Sequence, residues 1–263
     1  VLPESDTAHI VDSMRVTDFK AFMESPYGFY LRRVLKYETT DDTARELDPM
    51  VFGPLTHHGL EKFGDDELRD STDARAIEEF LVEALDKRVL ELLGPQPLPA
   101  VAIQVEQIKL RYQHFARWQA ERVEQGWRIR YAEWKPESGS HLLKVCGEEM
   151  KITGAIDRID QHPDHGWAIL DYKSGDKPYT PRDACGPLAG WKDLQLPLYR
   201  HLAKELKLEG PVGLGYIAIP RDTRLIRTYM AEWDDAPTGE ADGGGGRGPG
   251  GRGWGGGRRG VRW

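Results

Sequence analysis

The sequence has little cysteine and no long apolar run. Its 263 residues include two cysteines, Cys146 and Cys185, which are too few for a disulfide framework or a cysteine-based metal site. No apolar stretch approaches the ~18 residues of a membrane span, and no basic region followed by an apolar segment marks a signal peptide. These absences predict a cytoplasmic protein without membrane contact. The missing initiator methionine leads us to expect a piece of a longer protein.

The chain also lacks an excess of positive charge. Its 43 acidic and 36 basic side chains give a formal charge of −7, which ordinarily argues against a nucleic-acid partner. The charge is uneven, because residues 243–263 hold 12 of the 29 glycines and five arginines but no acid. We expect a disordered tail over 236–263. It is either an arginine–glycine arm that touches nucleic acid or an accidental terminus from out-of-frame translation.

Apolar periodicity predicts a helical N-terminal half after an extension over residues 1–15. Thr17 is a candidate cap for the first helix, and Ser71 or Thr72 for a later one that ends at Gly94. The predicted helices are 17–35, interrupted at Pro26, then 52–63, 72–94 and 101–125.

Alternating patterns then predict strands. A four-stranded meander is expected over 127–134, 142–146, 150–160 and 167–173, followed by a helix over 191–208 and strands over 212–219 and 225–233. The order of elements favours an α/β or α+β core with a helical N-terminal half.

Two predicted strands carry a pattern of acidic and basic side chains. Asp157 shares a strand face with Ile159, and Asp171 shares one with Lys173. If the two strands are antiparallel neighbours, two carboxylates and an ammonium lie in one patch, where a hard divalent cation such as Mg²⁺ or Mn²⁺ would relieve the repulsion. Lys173 could orient or deprotonate water or neutralise a phosphate. An Asp-x-Lys triplet taken alone is usually a solvated strand face.

Four motifs in one order along the chain favour a functional site over a solvated strand face. They are FGPLTHHGLE from Phe52, GAIDRID from Gly154, ILDYKSG from Ile169 and QLPLY from Gln195. Together with the opening segment VTDFKAFMESPYGFYLRRVL they resemble the RecB-type nucleases of the PD-(D/E)XK superfamily over residues 16–233. The likeness is greatest to the C-terminal nuclease domain of AddB-like helicase–nuclease subunits.

The resemblance implies a restriction-endonuclease-like core, a central mixed sheet flanked by helices, over residues 16–235. It also implies site roles. Lys173, Asp171 and Asp157 would be catalytic, and the metal would be held by His57, Asp157, Asp171 and the backbone carbonyl of Tyr172. Gln195 and Tyr199, one helical turn apart, would brace the lysine or contact the DNA backbone.

Other polar residues in or near the motifs have roles that are considered one by one. His57 is favoured over His58 as the ligand, because adjacent helical residues point about 100° apart. Glu133 either pairs with Arg158 or reaches the metal. Arg158 and Asp160 lie on the opposite strand face from Asp157 and are expected to form a structural ion pair.

One departure from the resembled family concerns cofactors. Many AddB-like and CRISPR adaptation nucleases hold an iron–sulfur cluster through one cysteine before the proline of the opening helix and three near the C-terminus. Here Ser25 occupies the first position, and no cysteine follows Cys185. Since such a cluster needs four thiolates, we expect Mg²⁺, or Mn²⁺, and no iron–sulfur cluster.

The resemblance predicts a Mg²⁺-dependent deoxyribonuclease, a hydrolase acting on phosphodiester bonds of single-stranded DNA or duplex ends. Its partner would be a helicase domain or helicase–nuclease subunit in double-strand-break repair and recombination. One alternative is a non-catalytic DNA-end-binding scaffold module. Another is a CRISPR-associated nuclease of the same fold.

Overall fold

The computed structural model describes residues 11, 13–37, 49–139, 141–145, 147–186 and 190–232. The predicted tail over 236–263, Cys146 and most of the predicted N-terminal extension lie outside these residues. Ser13–Arg15, within that extension, form strand β1. Among the described helices, none is both long and apolar enough to cross a bilayer.

The N-terminal half is helical, as predicted. The α-helices of the described residues are α1 Val16–Glu24, α2 Pro26–Phe29, α3 Pro49–Asp65, α4 Ala74–Leu93, α5 Pro99–Glu124, α6 Pro181–Ala184 and α7 Gln195–Leu202. A π-helical turn, Tyr30–Val34, extends α2. Three short 3₁₀ helices of this part of the chain are Glu67–Asp70, Ala203–Leu206 and Thr223–Leu225.

The predicted caps of two helices were wrong by one or two residues. Helix α1 begins at Val16, because the Asp18 carboxylate accepts the Arg15 backbone N–H at 3.0 Å. Helix α4 begins after Asp73, whose carboxylate accepts the N–H groups of Arg75 and Ala76 and so satisfies two otherwise free donors. The predicted stop at Gly94 is confirmed, with φ at +74°.

Within the described residues, the strands form one five-stranded sheet, one three-stranded sheet and a short hairpin. Their bounds are β1 Ser13–Arg15, β2 Arg128–Trp134, β3 His141–Val145, β4 Glu148–Thr153, β5 Ile156–His162, β6 Gly166–Lys173, β7 Cys185–Gly186, β8 Gly190–Trp191, β9 Val212–Ala218 and β10 Arg227–Met230. The main sheet has the order β10-β9-β6-β5-β2, in which β6 and β9 are parallel and the other pairs antiparallel. This mixed sheet with flanking helices is the predicted α/β, restriction-endonuclease-like fold class.

The predicted four-stranded meander was wrong. The predicted strand over 150–160 is interrupted at Gly154 and Ala155, so its residues belong to two strands, β4 and β5. Strands β3 and β4 form a separate sheet with β1, and β2 pairs directly with β5. Alternation along a strand specifies its faces but not its neighbour, which is why the pattern could not separate the two sheets.

The predicted helix over 191–208 was too long. Trp191 ends β8, and the α-helix begins only at Gln195, after Asp193 accepts the Gln195 backbone N–H at 3.0 Å. The last predicted strand is also shorter, because Thr223–Leu225 form a 3₁₀ turn and β10 ends at Met230. Trp233 lies outside the described residues.

The main core lies between α3, α4 and α5 and one face of the five-stranded sheet. Its buried side chains include Phe63, Ile77, Leu81, Ile108, Tyr112 and Phe115 from the helices, and Ile129, Leu170, Tyr172 and Ile217 from the strands. Helix α7 contacts strands β6 and β9 and helix α1. Helix α7 therefore lies beside the edge of the sheet where β5 begins and β6 ends, and it forms one wall of a cleft there.

Close packing of α3 on α5 depends on Gly59. A Cβ atom there would lie 2.9 Å from the Tyr112 ring carbon Cζ, and the Tyr112 hydroxyl is fixed by donating to the Thr56 carbonyl at 2.6 Å. We expect Gly59→Ala to destabilise the protein by ~1–3 kcal/mol through overpacking, more than the ~1 kcal/mol that alanine contributes to a helix. Urea unfolding measures the difference.

Gly53 of the same helix supplies the matched control. Apart from its chain neighbours, its Cβ would meet only the Ser174 hydroxyl, at 3.8 Å, which is ordinary contact. Gly53→Ala should therefore change the free energy of unfolding by less than ~1 kcal/mol, because the helix propensity of alanine is opposed by its contact with the ring of Pro54, the next residue of the helix. Equal unfolding free energies for the two variants would contradict the packing argument.

Candidate active site

A cleft of about 430 Å³ opens where β5 and β6 lie side by side. Its lining consists of Thr17, His57, Ala155, Asp157, Asp171, Tyr172, Lys173, Ser174, Gln195 and Tyr199. The antiparallel register pairs Arg158 with Leu170, which places Asp157 next to Asp171. The structure thus brings together His57, Asp157, Asp171, Tyr172, Lys173, Gln195 and Tyr199, which were predicted from four separate segments.

Asp171 is the most buried carboxylate of the cleft, with 1% of its surface exposed. The Gln195 side-chain amide donates to its Oδ1. Its Oδ2 lies 2.8 Å from the Lys173 ammonium, with which it forms an ion pair. Gln195 also accepts a hydrogen bond from Lys173 at 2.7 Å and so connects the two residues.

Asp157 is held by three groups. The Tyr199 hydroxyl donates to Oδ1 at 2.8 Å, and the Tyr172 backbone N–H donates to Oδ2 at 3.1 Å. Nδ1 of His57 lies 3.7 Å from the same Oδ2. Gln195 additionally donates to the Tyr199 hydroxyl at 2.9 Å, so one helical face of α7 contacts both carboxylates.

Helix α3 contributes His57 to the cleft, whereas His58 is not among the lining residues. The His57 ring packs edge-on against Tyr172, with ring centroids 5.9 Å apart. Burial is the main cause that lowers the pKa of His57, and it outweighs the opposing effect of Asp171. The imidazole is therefore neutral at pH 7, which is the form that binds a metal ion.

Burial also governs the carboxylates. It raises the pKa of Asp171 to about 7, although Lys173 opposes the rise, and it raises the pKa of Asp157. For Lys173 burial acts in the lowering direction, but Asp171 and Asp193 outweigh it and raise the pKa. Two carboxylates with raised pKa values beside a charged lysine are an arrangement found at functional sites.

Glu133 is not among the residues that line the cleft, but the charges of Asp157 and Asp171 act on it. Burial, and next the charge of Asp157, raise its pKa to about 7. Arg158 instead donates to Asp160 at 2.6 Å and to the Tyr172 hydroxyl at 3.3 Å, which confirms the predicted ion pair and not the Glu133–Arg158 pair. Glu133 has φ at +45°, a backbone conformation that costs energy for a side chain other than glycine and clusters at functional sites.

The side chains of the cleft suit a hard divalent cation. They offer carboxylate oxygens and a neutral imidazole, and the buried Asp171 Oδ2 has the Lys173 ammonium as its cationic neighbour. Within the described residues, no three His, Cys, Asp or Glu side chains already converge as a metal-binding group. The carboxylates are engaged instead by Lys173, Gln195 and Tyr199.

Sequence reasoning missed Asp193. This carboxylate is 2% exposed, and its Oδ2 lies 3.9 Å from Lys173 and 3.6 Å from Lys20. An aspartate two residues before a helix reads as an ordinary capping residue, and its carboxylate does accept the Gln195 backbone N–H at 3.0 Å. Only the fold shows that the same side chain lies beside the predicted lysine.

Residues 13–242 match the PD-(D/E)XK nuclease superfamily. The chain belongs to this superfamily. PD-(D/E)XK enzymes are nucleases, hydrolases that act on nucleic acid and that generally depend on a divalent metal. The Asp157, Asp171 and Lys173 constellation is thus placed in a superfamily of matching chemistry.

Proteins similar to this PD-(D/E)XK chain occur in Rickettsia. An uncharacterized protein of Rickettsia typhi, RT0391, is 30% identical over 173 residues, 63% of this chain and 19% of that protein. An uncharacterized protein of Rickettsia bellii is 30% identical over 168 residues, with the same shares. The chain spans about a fifth of the length of these relatives. A solved structure titled "Crystal structure of SSO0001" is 16% identical, covers 69% of this chain and 77% of its own, and superposes with a TM-score of 0.27.

Proposed function

We propose that this chain is a Mg²⁺-dependent deoxyribonuclease that hydrolyses phosphodiester bonds of single-stranded DNA. The observation that carries the proposal is the convergence of Asp157, Asp171 and Lys173 in one cleft, bridged by Gln195 and Tyr199. Superfamily membership supports the reaction class.

Each side chain has a role that follows from its contacts. His57, Asp157, Asp171 and the Tyr172 carbonyl would hold the cation, which when bound supplies positive charge to a phosphoryl oxygen and lowers the pKa of water. Lys173 orients the attacking water and neutralises charge on the phosphate. Gln195 holds the Lys173 ammonium and Asp171 at the same time, and Tyr199 fixes Asp157, so α7 positions the groups that react.

The proposed context is a nuclease domain within a helicase–nuclease that processes DNA ends. The RecB-type and AddB-like motif resemblance supports this context, and so does the length of the Rickettsia relatives, of which this chain spans 19%. The proposed partners are DNA and a helicase domain or helicase–nuclease subunit.

A cleavage assay tests the function. Single-stranded DNA labelled at either end is incubated with the chain in Mg²⁺, in Mn²⁺ and in EDTA. We expect cleavage with either metal and none in EDTA. A chain that binds DNA but leaves it intact with both metals is a scaffold module, and that result overturns the proposed activity.

Metal binding should depend on pH with a defined sign. Bound Mg²⁺ requires ionised carboxylates, and burial raises the pKa of Asp171 to about 7, so protons compete with the metal below that pH. His57 adds no competition at pH 7, because its pKa is lowered. We expect the Mg²⁺ affinity measured by calorimetry to fall between pH 8 and pH 6, by up to ~10-fold per unit below pH 7. An affinity that is constant or rises towards pH 6 would contradict this.

A further inference from the structure

A second ammonium group lies near Lys173. The Lys20 Nζ atom is 3.6 Å from Asp193 Oδ2, and the Lys173 Nζ atom is 3.9 Å from the same oxygen. The two lysines come from distant segments, α1 and β6, and one buried carboxylate holds both. The proposed reaction uses only one of them.

Lys20 borders the cleft from helix α1. Thr17, three residues earlier, lines the cleft, and residues three apart lie on the same helix face. The Lys20 side chain is 41% exposed, so solvent and a ligand both have access to its ammonium. Lys173, by contrast, is 21% exposed and lies deeper.

The contacts of Lys20 leave its hydrogen-bond donors available. An ammonium–carboxylate hydrogen bond is typically ~2.7–2.9 Å long, whereas Lys20 is 3.6 Å from Asp193, and Asp193 Oδ2 has no hydrogen-bond partner. The Tyr179 ring lies below both lysines, 5.3 Å from Lys20 and 5.6 Å from Lys173. Burial raises the pKa of Tyr179 to about 12, so its ring is an uncharged support for the two cations.

Two neighbouring cations suit two successive phosphates of a nucleic-acid strand. Each lysine acts as a point charge that binds a phosphate, and the two ammonium groups lie close together because both are near the same Asp193 oxygen, at 3.6 and 3.9 Å. We propose that Lys20 binds the phosphate next to the one that is cleaved, with Asp193 holding its ammonium beside that of Lys173. The inference rests on the proposed nuclease function and adds a substrate-contact residue from α1.

The salt dependence of DNA binding tests this role. Binding of a fluorescent single-stranded oligonucleotide to the full chain is measured by anisotropy in EDTA, where no cleavage occurs, over a series of KCl concentrations. Loss of one phosphate contact lowers the slope of log K against log salt by ~0.7 for a single strand. We expect Lys20→Ala to show that change and a ~10-fold weaker affinity at low salt, and Lys20→Arg to keep the wild-type slope.

Lys109→Ala is the matched control. Lys109 is also a partly exposed lysine in an ion pair, with Asp86 at 2.9 Å, but it lies on α5 and is not a lining residue of the cleft. The slope of log K against log salt for Lys109→Ala should equal that of the wild type. An unchanged slope for Lys20→Ala, with or without a lower melting temperature, overturns the inference and leaves the proposed function standing. A wild-type chain that neither binds DNA in EDTA nor cleaves it in Mg²⁺ overturns both.

Discussion

Asp171→Asn is expected to abolish Mg²⁺-dependent cleavage of single-stranded DNA while the protein stays folded. The substitution keeps the size of the side chain and removes the charge that would hold the cation. The expected loss of rate is ~10³-fold or more, as for groups that act together in one site. The assay is the cleavage of labelled DNA, with circular dichroism to establish the fold.

Asp164→Asn provides the control for this substitution. Asp164 is exposed, in the turn that joins β5 to β6, so the same chemical change is made close in sequence but outside the cleft. Its cleavage rate should equal that of the wild type. Undiminished cleavage by Asp171→Asn would refute the assignment of the site.

Lys173→Ala separates metal binding from the reaction. The lysine is proposed to orient water and neutralise phosphate rather than to hold the metal, so the variant should lose cleavage and still bind Mg²⁺ by calorimetry. Lys173 also lowers the pKa of Asp171, its ion-pair partner at 2.8 Å. Calorimetry is therefore done well above pH 7, where the Asp171 carboxyl is ionised in both proteins and loss of the lysine should not weaken Mg²⁺ binding. Loss of metal binding along with cleavage would contradict the division of roles.

Asp160→Ala is expected to destabilise the protein by ~3–5 kcal/mol. Asp160 is fully buried and accepts hydrogen bonds from Arg158 at 2.6 and 3.0 Å and from Arg122 at 2.7 Å. Without it two buried guanidinium groups lose their counter-charge, which is the costly way to break a buried ion pair. Urea unfolding monitored by tryptophan fluorescence measures the change.

The ion pair of Asp160 is connected to the cleft through Tyr172. Arg158, the partner of Asp160, contacts the Tyr172 hydroxyl, and the backbone N–H of Tyr172 donates to Asp157.

Glu79→Gln is the control for Asp160→Ala, because the Arg75–Glu79 pair at 2.8 Å is highly exposed and its loss should cause no measurable change in stability. A similar small effect for Asp160→Ala would show that the buried network is not needed for stability.

The cleft illustrates how far single-sequence reasoning extends. The period of two along β5 and β6 was sufficient to place Asp157 and the Asp171–Lys173 pair on defined faces, and the spacing of four placed Gln195 and Tyr199 on one helical face. Arg158 and Asp160 were expected on the opposite face, and their contacts are those of an ion pair. These features follow from local geometry, which the sequence specifies directly.

Contacts between distant segments were beyond that reasoning. The division of residues 150–160 into β4 and β5 depends on which strands pair, and the left-handed backbone of Glu133 depends on its surroundings. The position of Asp193 between Lys20 and Lys173 joins three segments. No pattern within one segment carries such information.

The sequence by itself therefore determined the fold class, the helical N-terminal half and seven of the side chains that line the cleft, namely His57, Asp157, Asp171, Tyr172, Lys173, Gln195 and Tyr199. Only the tertiary structure decided how those side chains are bound to one another, which carboxylates are desolvated, and that a lysine from α1 lies beside Lys173. The physical reason is the separation along the chain over which each interaction acts. Periodicity and capping act over a few residues, whereas burial, pKa shifts and ion pairs depend on atoms that come together only when the chain is folded.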